Sequence, residues 1–304
     1  MFLMMNSARL HVGLQGLGHL EMATQNARRY ANERVQSGSA IARHPAMRHV
    51  LLRGQALTEG LRCLAYRAAL ALDEAAHHPD AERRAEQSAL AALLTPVVKA
   101  WCTAQGFDGA SRALQVFGGY GYVHETGIEQ TVRDARIAMI YEGTNEIQAI
   151  DLVLRKLLAD EGRGLEVWLE ECEAEVRSLD RLSSGEVGAE SSKQAGEFAR
   201  ALSEQIDCAR TGWAALQRLA LADRQAVLAH CDDALAAVAH LCLAWAWAAS
   251  ARAVLEMQGE GSDAVGLRRL DGPRYGIQWV LPHARVHWDA LVRGADLPEL
   301  SPVD

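Results

Sequence analysis

The sequence predicts an all-α protein, an up-down helical bundle followed by a second helical bundle. Three observations carry this expectation. Apolar residues recur at intervals of three and four over long uninterrupted stretches. Proline is rare, 7 in 304 residues, and Ala and Leu are abundant. No segment of useful length alternates with the period of a strand. At 304 residues the chain can bury one large core or two smaller ones.

The elements follow in order. Residues 3–35 read as one helix, with Gly13, Gly16 and Gly18 each costing about 1 kcal/mol relative to alanine. Close approach of another helix or of a ligand would compensate. Gln36-Ser37-Gly38-Ser39 ends it, and Pro45 stands where a second helix over 46–78 can start. That helix presents Leu57, Leu61, Leu64, Ala68 and Leu72 on one face and stops at His77-His78-Pro79-Asp80. A third helix spans 82–114, with Leu90, Leu93, Leu94, Val97, Val98 and Trp101 inside and Pro96 as a possible kink. Short helices are expected at 124–131 and 134–141. A further helix at 145–159 should bury Ile147, Ile150, Leu154, Leu157 and Leu158.

Gly162 and Gly164 divide the chain into units of 1–162 and 163–304. In the second unit a helix over 165–181 leads into a Ser- and Gly-rich stretch, 183–192, that reads as a flexible linker. Two long helices follow. Phe198, Leu202, Ile206, Ala209, Trp213 and Leu216 stripe the first; Leu228, Cys231, Leu235, Val238, Cys242 and Trp245 form a one-sided seam on the second. Within the latter, Ala234–Ala251 is 18 residues without a formal charge. Its alanines, His240 and Ser250 favour a buried core or interface helix over a membrane span. A loop at 259–262 precedes a last helix, Tyr275–Val292, bent at Pro282.

Composition narrows function. A net charge of −8, from 31 basic and 39 acidic side chains, argues against nucleic acid and anionic membrane partners. The six cysteines form no C-x-x-C pair, and Met1–Met5 is too short for a signal peptide; they read as buried thiols in a reducing compartment, hence a cytoplasmic protein. No metal site is expected, since neither His77-His78 nor the His283/His287 pair has an accompanying ligand pattern.

The most informative stretch is 115–148. It opens on the turn Gly118-Gly119-Tyr120-Gly121, which follows no strand, so a parallel-sheet dinucleotide fingerprint is excluded. It closes on Glu142 at a break between helical runs, with Gly143 next and Thr144 or Asn145 able to cap the following helix. A carboxylate held at such a junction is fixed by backbone and suits a general base. Its apolar neighbours would raise its pKa and a helix N-terminus would lower it.

This stretch, with Arg28–Arg34, resembles the C-terminal helical domain of acyl-CoA dehydrogenases. The matching residues are Gln115–Gly121, Glu129-Gln130, Arg133-Asp134 and Tyr141–Gln148, and the likeness covers roughly 1–160. Residues 163–304 more loosely resemble the helical extension of 3-methylmercaptopropionyl-CoA dehydrogenase-like members. The resemblance implies FAD-dependent α,β-dehydrogenation of an acyl-CoA thioester. Glu142 is then the α-proton base, and Arg9 and the Gly143 backbone lie at the substrate. Flavin contacts carry over to Thr144 and Glu146 from one subunit and to Arg34, Gln36, Gln115 and Gly119 from its neighbour. Ser37 departs from the phenylalanine that many members have. The partners implied are an electron-transfer flavoprotein and further copies of the chain, as a dimer or tetramer. The family's preceding half has no counterpart here, so a C-terminal portion, a split subunit with a separate N-terminal half, or a truncated product is expected. A non-catalytic assembly module and an oxidase share these motifs and stay open.

Overall fold

The computed structural model describes residues 2–185, 188–258 and 270–298, with side chains from residue 6 onward except at 258. The expected loop at 259–262 lies outside the described residues. Helix α1 runs Phe2–Glu33, α2 Pro45–His77 and α3 Ala81–Phe117. They are the long antiparallel members of the first bundle. Pro45 opens α2 where its missing N–H costs nothing. Asp80 caps α3 by accepting from Glu82 N at 3.0 Å. Pro96 is buried inside α3, and the helix continues through it.

The glycines of α1 divide by role. A Cβ on Gly16 would lie 2.6 Å from Cys102 O and Thr103 Cα of α3. A Cβ on Gly106 would lie 2.4 Å from Gly16 O. The two backbones therefore touch at this crossing, which no side chain would permit. Gly18 is exposed with nothing near it.

Between α1 and α2 the chain makes a two-residue hairpin, Val35–Gln36 paired antiparallel with Ser39–Ala40. Ser37 and Gly38 turn it with φ of 48° and 79°, the left-handed pair that a tight hairpin demands. These short strands escape a period-two search.

After α3 come α4, Gly119–Tyr122, a 3-10 turn at His124–Thr126, and α5, Ile128–Ile137. This corrects the expected pair of helices at 124–131 and 134–141. Nothing between Thr131 and Asp134 breaks a helix, and Glu129 to Arg133 braces the turn at 2.7 Å. Residues 138–144 are turn. Helix α6, Asn145–Asp151, passes into a π-helical stretch, Leu152–Leu158. Ile147, expected inside, is 50% exposed, because Gln148 and Ala149 take the inward face.

The second half contains α7, Arg163–Ser184, α8, Ala189–Ala222, the short α9, Arg224–Ala229, and α10, Cys231–Gln258. The expected linker is largely helix: Ser183 and Ser184 finish α7, and 189–192 begin α8. Helix α11, Asp271–Tyr275, leads through a π turn at Gly276–Val280 and a 3-10 turn at Leu281–His283 into α12, Ala284–Arg293. Missing proline N–H donation at 282 explains the irregularity.

Helix α10 is long and apolar enough to cross a membrane, yet 89% of that window is buried inside the protein. The one-sided seam expected there is corrected: Ala234–Ala248 is buried all round. Helices α2, α7, α8 and α12 pack against it. Trp247 at its middle donates from Nε1 to Ala56 O at 2.9 Å, against Gly60 and Gly276. One hydrophobic cluster therefore joins Leu61 and Leu94 of the first half to Trp168, Leu202 and Trp247 of the second. A smaller cluster around Ala27, Ala31, Ile41, Ala113 and Val116 sits where α1 and α3 end. All six cysteines are free thiols, four buried and Cys63 and Cys208 half-buried. Burial pushes Cys63 up to about 11 and Cys102 up to about 12. His287 Nδ1 meets Asp233 Oδ1 at 2.8 Å.

Candidate functional site

The predicted site residues fall into two groups at opposite ends of the C-terminal half of α3. Lys99 marks one and Gln115 the other; sixteen residues of helix put them about 24 Å apart.

The first group is the junction after α5. The chain turns at Ile137–Tyr141, and Asn145 N reaches back to Met139 O at 3.1 Å. Glu142 has φ 56° and Gly143 φ 83°. Two consecutive left-handed residues make a sharp reversal, and only the second is glycine. At Gly143 a Cβ would also lie 2.8 Å from Gln148 Nε2. Thr144 caps α6, its Oγ1 accepting from Ile147 N at 3.4 Å.

The reversal is clamped from below by a residue that sequence reasoning missed. Lys99 is fully buried on α3. Its Nζ donates to Gly143 O at 2.7 Å, Asn145 Oδ1 at 3.0 Å and Met139 O at 3.3 Å. These three acceptors use all three ammonium protons. Asn145 Nδ2 then donates to Ala100 O at 3.1 Å, and Gln148 Nε2 to Glu142 O at 3.2 Å. Burial lowers the Lys99 pKa to about 8, against the pull of the Glu146 and Glu142 carboxylates. The signal in the sequence is a single lysine in the apolar run Leu93–Trp101.

Glu142 itself is exposed, as is Glu146. Hydrogen bonding with the Thr144 hydroxyl holds Glu146 below the usual carboxylate range. The dry pocket that proton abstraction from carbon requires is not made by these residues alone. Tyr141 OH bonds Gln15 of α1, and Ile140, Tyr141 and Ile147 stand exposed around Glu142. Arg9, expected at the substrate, is buried, with Nη1 on Asp151 Oδ2 at 2.7 Å. It supports the end of α6 from the α1 side.

The second group lines one open groove of 720 Å³ where α1 and α3 end. Arg34, Gln36, Gln115 and Gly119 all face it. The Arg34 guanidinium lies 6.0 Å above the Tyr120 ring and has no carboxylate partner among the described residues. Gly118 turns at φ 62°, and a Cβ on Gly119 would meet nothing within 4 Å, so this backbone is open to a ligand. His44, not singled out from sequence, also lines the groove, with Nε2 3.3 Å from Gln36 O. An unpaired guanidinium, bare glycine backbone, amide side chains and aromatic walls fit the phosphates and ring of a dinucleotide such as FAD.

Comparison with known proteins adds to this geometry. Residues 2–158 match the family described as acyl-CoA dehydrogenase, C-terminal domain, and residues 168–298 that described as acetyl-CoA dehydrogenase C-terminal like. The 3-methylmercaptopropionyl-CoA dehydrogenase of Ruegeria pomeroyi is 49% identical over 172 residues, 54% of this chain and 29% of that protein. The broad-specificity linear acyl-CoA dehydrogenase FadE5 of Mycobacterium tuberculosis is 35% identical over 181 residues, again 54% and 29%. The matched stretch thus spans under a third of these relatives. Among solved structures, a Bacillus anthracis acyl-CoA dehydrogenase complexed with FAD superposes with a TM-score of 0.72 at 19% identity, covering 98% of this chain and 51% of that one. Caenorhabditis elegans ACDH-11 in complex with C11-CoA gives 0.67 at 20% identity, covering 95% and 47%. At these identities the structures speak for the fold.

Proposed function

This chain belongs to the acyl-CoA dehydrogenase family, as its C-terminal helical part, and from that premise we propose that it serves FAD-dependent α,β-dehydrogenation of an acyl-CoA thioester. The observation that carries the proposal is the Glu142–Gly143 reversal held rigid by Lys99. A base on a fixed backbone keeps its aim without a long flexible stem to order.

In this reading Glu142 takes the proton from the carbon α to the thioester carbonyl. The Glu142 backbone amide offers a donor to the carbonyl oxygen, where negative charge develops. Gly143 lets the backbone that carries the base turn tightly against Gln148. Arg9 holds α6 in place through Asp151. The flavin, when bound, supplies the acceptor for the β hydrogen and its electron pair. Thr144 and Glu146 would hold it beside the base, while Arg34, Gln36, Gln115 and Gly119 of a second copy would hold its phosphates and adenosine end. Two groups about 24 Å apart on one helix suit a site completed between copies, so we propose a homo-oligomer. An electron-transfer flavoprotein is the proposed electron acceptor.

The test uses the whole chain with added FAD. Flavin colour should elute with the protein, and Arg34→Ala should lose it. Anaerobic addition of acyl-CoA should bleach the flavin, and Glu142→Gln should slow that by about a hundredfold or more. Near-normal bleaching by Glu142→Gln would show that another group is the base.

A further inference from the structure

A second cleft, of 440 Å³, opens on the other side of the Ile41–Arg43 turn from the groove. The end of α1 and the start of α2 form one wall, and α11 with its π turn forms the other. It therefore exists only because the two halves of the chain pack together. Its size suits a small-molecule ligand.

Three arginines converge there: Arg28 of α1, Arg48 of α2 and Arg274 of α11. None makes a close ion pair among the described residues, although Arg28 lies within electrostatic reach of the Glu59 carboxylate. Asp271 lines the same cleft, and Glu59 stands near it on α2 with Oε1 taken by Gln55 Nε2 at 2.9 Å. The three guanidiniums outnumber the two carboxylates beside them, Asp271 and Glu59, so the cleft carries a surplus of positive charge. Guanidinium forks match phosphate oxygens in pairs.

An aromatic plate lies beside them. Trp279 is 54% exposed at the cleft. Its ring stacks on Tyr275, with centroids 6.2 Å apart and planes 22° from parallel. The His49 ring meets it edge-on at 4.5 Å, and His49 Nδ1 lies 3.1 Å from the Tyr275 hydroxyl. An exposed tryptophan held in a set orientation is a platform for a planar ring. Asn32 and Gln55 each use their amide nitrogen internally, on Arg28 O at 2.8 Å and Glu59. Their carbonyl oxygens remain as acceptors for an exocyclic amine.

We propose that this cleft binds an adenine nucleotide, the phosphates on Arg28, Arg48 and Arg274 and the base against Trp279. The site is separate from the flavin groove: Ala42 lines the cleft while Ile41 lines the groove.

The experiment is a calorimetric titration of the 304-residue chain with ADP, and with inorganic pyrophosphate alongside it. Saturable one-to-one ADP binding that weakens with added salt is expected. Arg48→Gln and Arg274→Gln should each weaken it by about tenfold, with helicity by circular dichroism unchanged. Trp279→Leu should weaken ADP and leave pyrophosphate alone. Absence of saturable ADP binding overturns the proposal. So does pyrophosphate binding as tightly as ADP, which would make the cleft a bare phosphate site. Binding abolished by Arg34→Ala, or by saturation with FAD, would place the nucleotide in the groove and overturn it equally. If an arginine variant fails to fold, quenching of Trp279 fluorescence by ADP in the wild-type chain, absent in Trp279→Phe, decides the matter.

Discussion

The Lys99 ammonium donates to the Gly143 carbonyl oxygen at 2.7 Å, joining positions 44 residues apart in the chain. That bond ties the middle of α3 to the backbone that carries Glu142. Removing the lysine leaves three buried acceptors without their donor, so Lys99→Met should lower unfolding stability by about 2 kcal/mol. Urea denaturation checks it; an unchanged midpoint would mean that water replaces the ammonium without cost.

The pH dependence of that contribution has a definite sign. The folded pKa of Lys99, about 8, lies below its ordinary value of 10.5. Between those values the unfolded chain binds the proton and the folded chain does not, so stability from this group rises with pH across that window. It is complete above 10.5 and falls away as pH drops through 8. The cysteine thiols titrate nearby, so the quantity to measure is the stability gap between wild type and Lys99→Met. That gap should widen from pH 8 to 10.5. A flat gap would contradict the assignment.

Arg9 and Asp151 form a buried pair at 2.7 Å, with side chains 9% and 5% exposed. Arg9→Met leaves the Asp151 carboxylate with only the exposed Arg155 at 3.3 Å. A loss of about 3 kcal/mol is expected. In a double-mutant cycle, Arg9→Met with Asp151→Leu should recover much of it, and additive losses would exclude direct coupling.

Two glycines of α1 should respond oppositely to the same change. Gly16→Ala drives a Cβ into backbone 2.6 Å away on α3 and should cost about 1–3 kcal/mol. Gly18→Ala meets nothing and should stabilise by up to about 1 kcal/mol. Thermal unfolding of both variants reads the contrast, and equal shifts would refute the crossing.

Glu142 holds a left-handed φ of 56° that a glutamate rarely adopts. Glu142→Gly should therefore stabilise the chain by about 1 kcal/mol, while Glu142→Gln should leave stability unchanged. If both variants were neutral, the backbone at this position would carry no strain.

The sequence alone determined the helical class, most of the long helices and the position of the Glu142 junction. Those follow from signals that act over a few residues. Pro45 and Asp80 start helices, His78-Pro79 stops one, and leucines at three and four spacing mark the buried faces. The same signals misjudged the stretch 183–192, where serine composition suggested a linker but Ser183, Ser184 and residues 189–192 are helical.

Tertiary structure alone decided what each site residue touches. Lys99 reads locally like any lysine on an apolar helix, and only the return of the chain at Met139–Asn145 makes it a buried clamp. Nothing local to Arg9 shows that Asp151, 142 residues away, is its partner. The all-round burial of α10 depends on Trp247 reaching Ala56 across 191 residues. The cleft of Arg28, Arg48, Arg274 and Trp279 likewise needs both halves in contact. Local propensity sets which residues become helix; long-range packing, which minimises exposed apolar area for the whole chain at once, sets which of their polar groups meet.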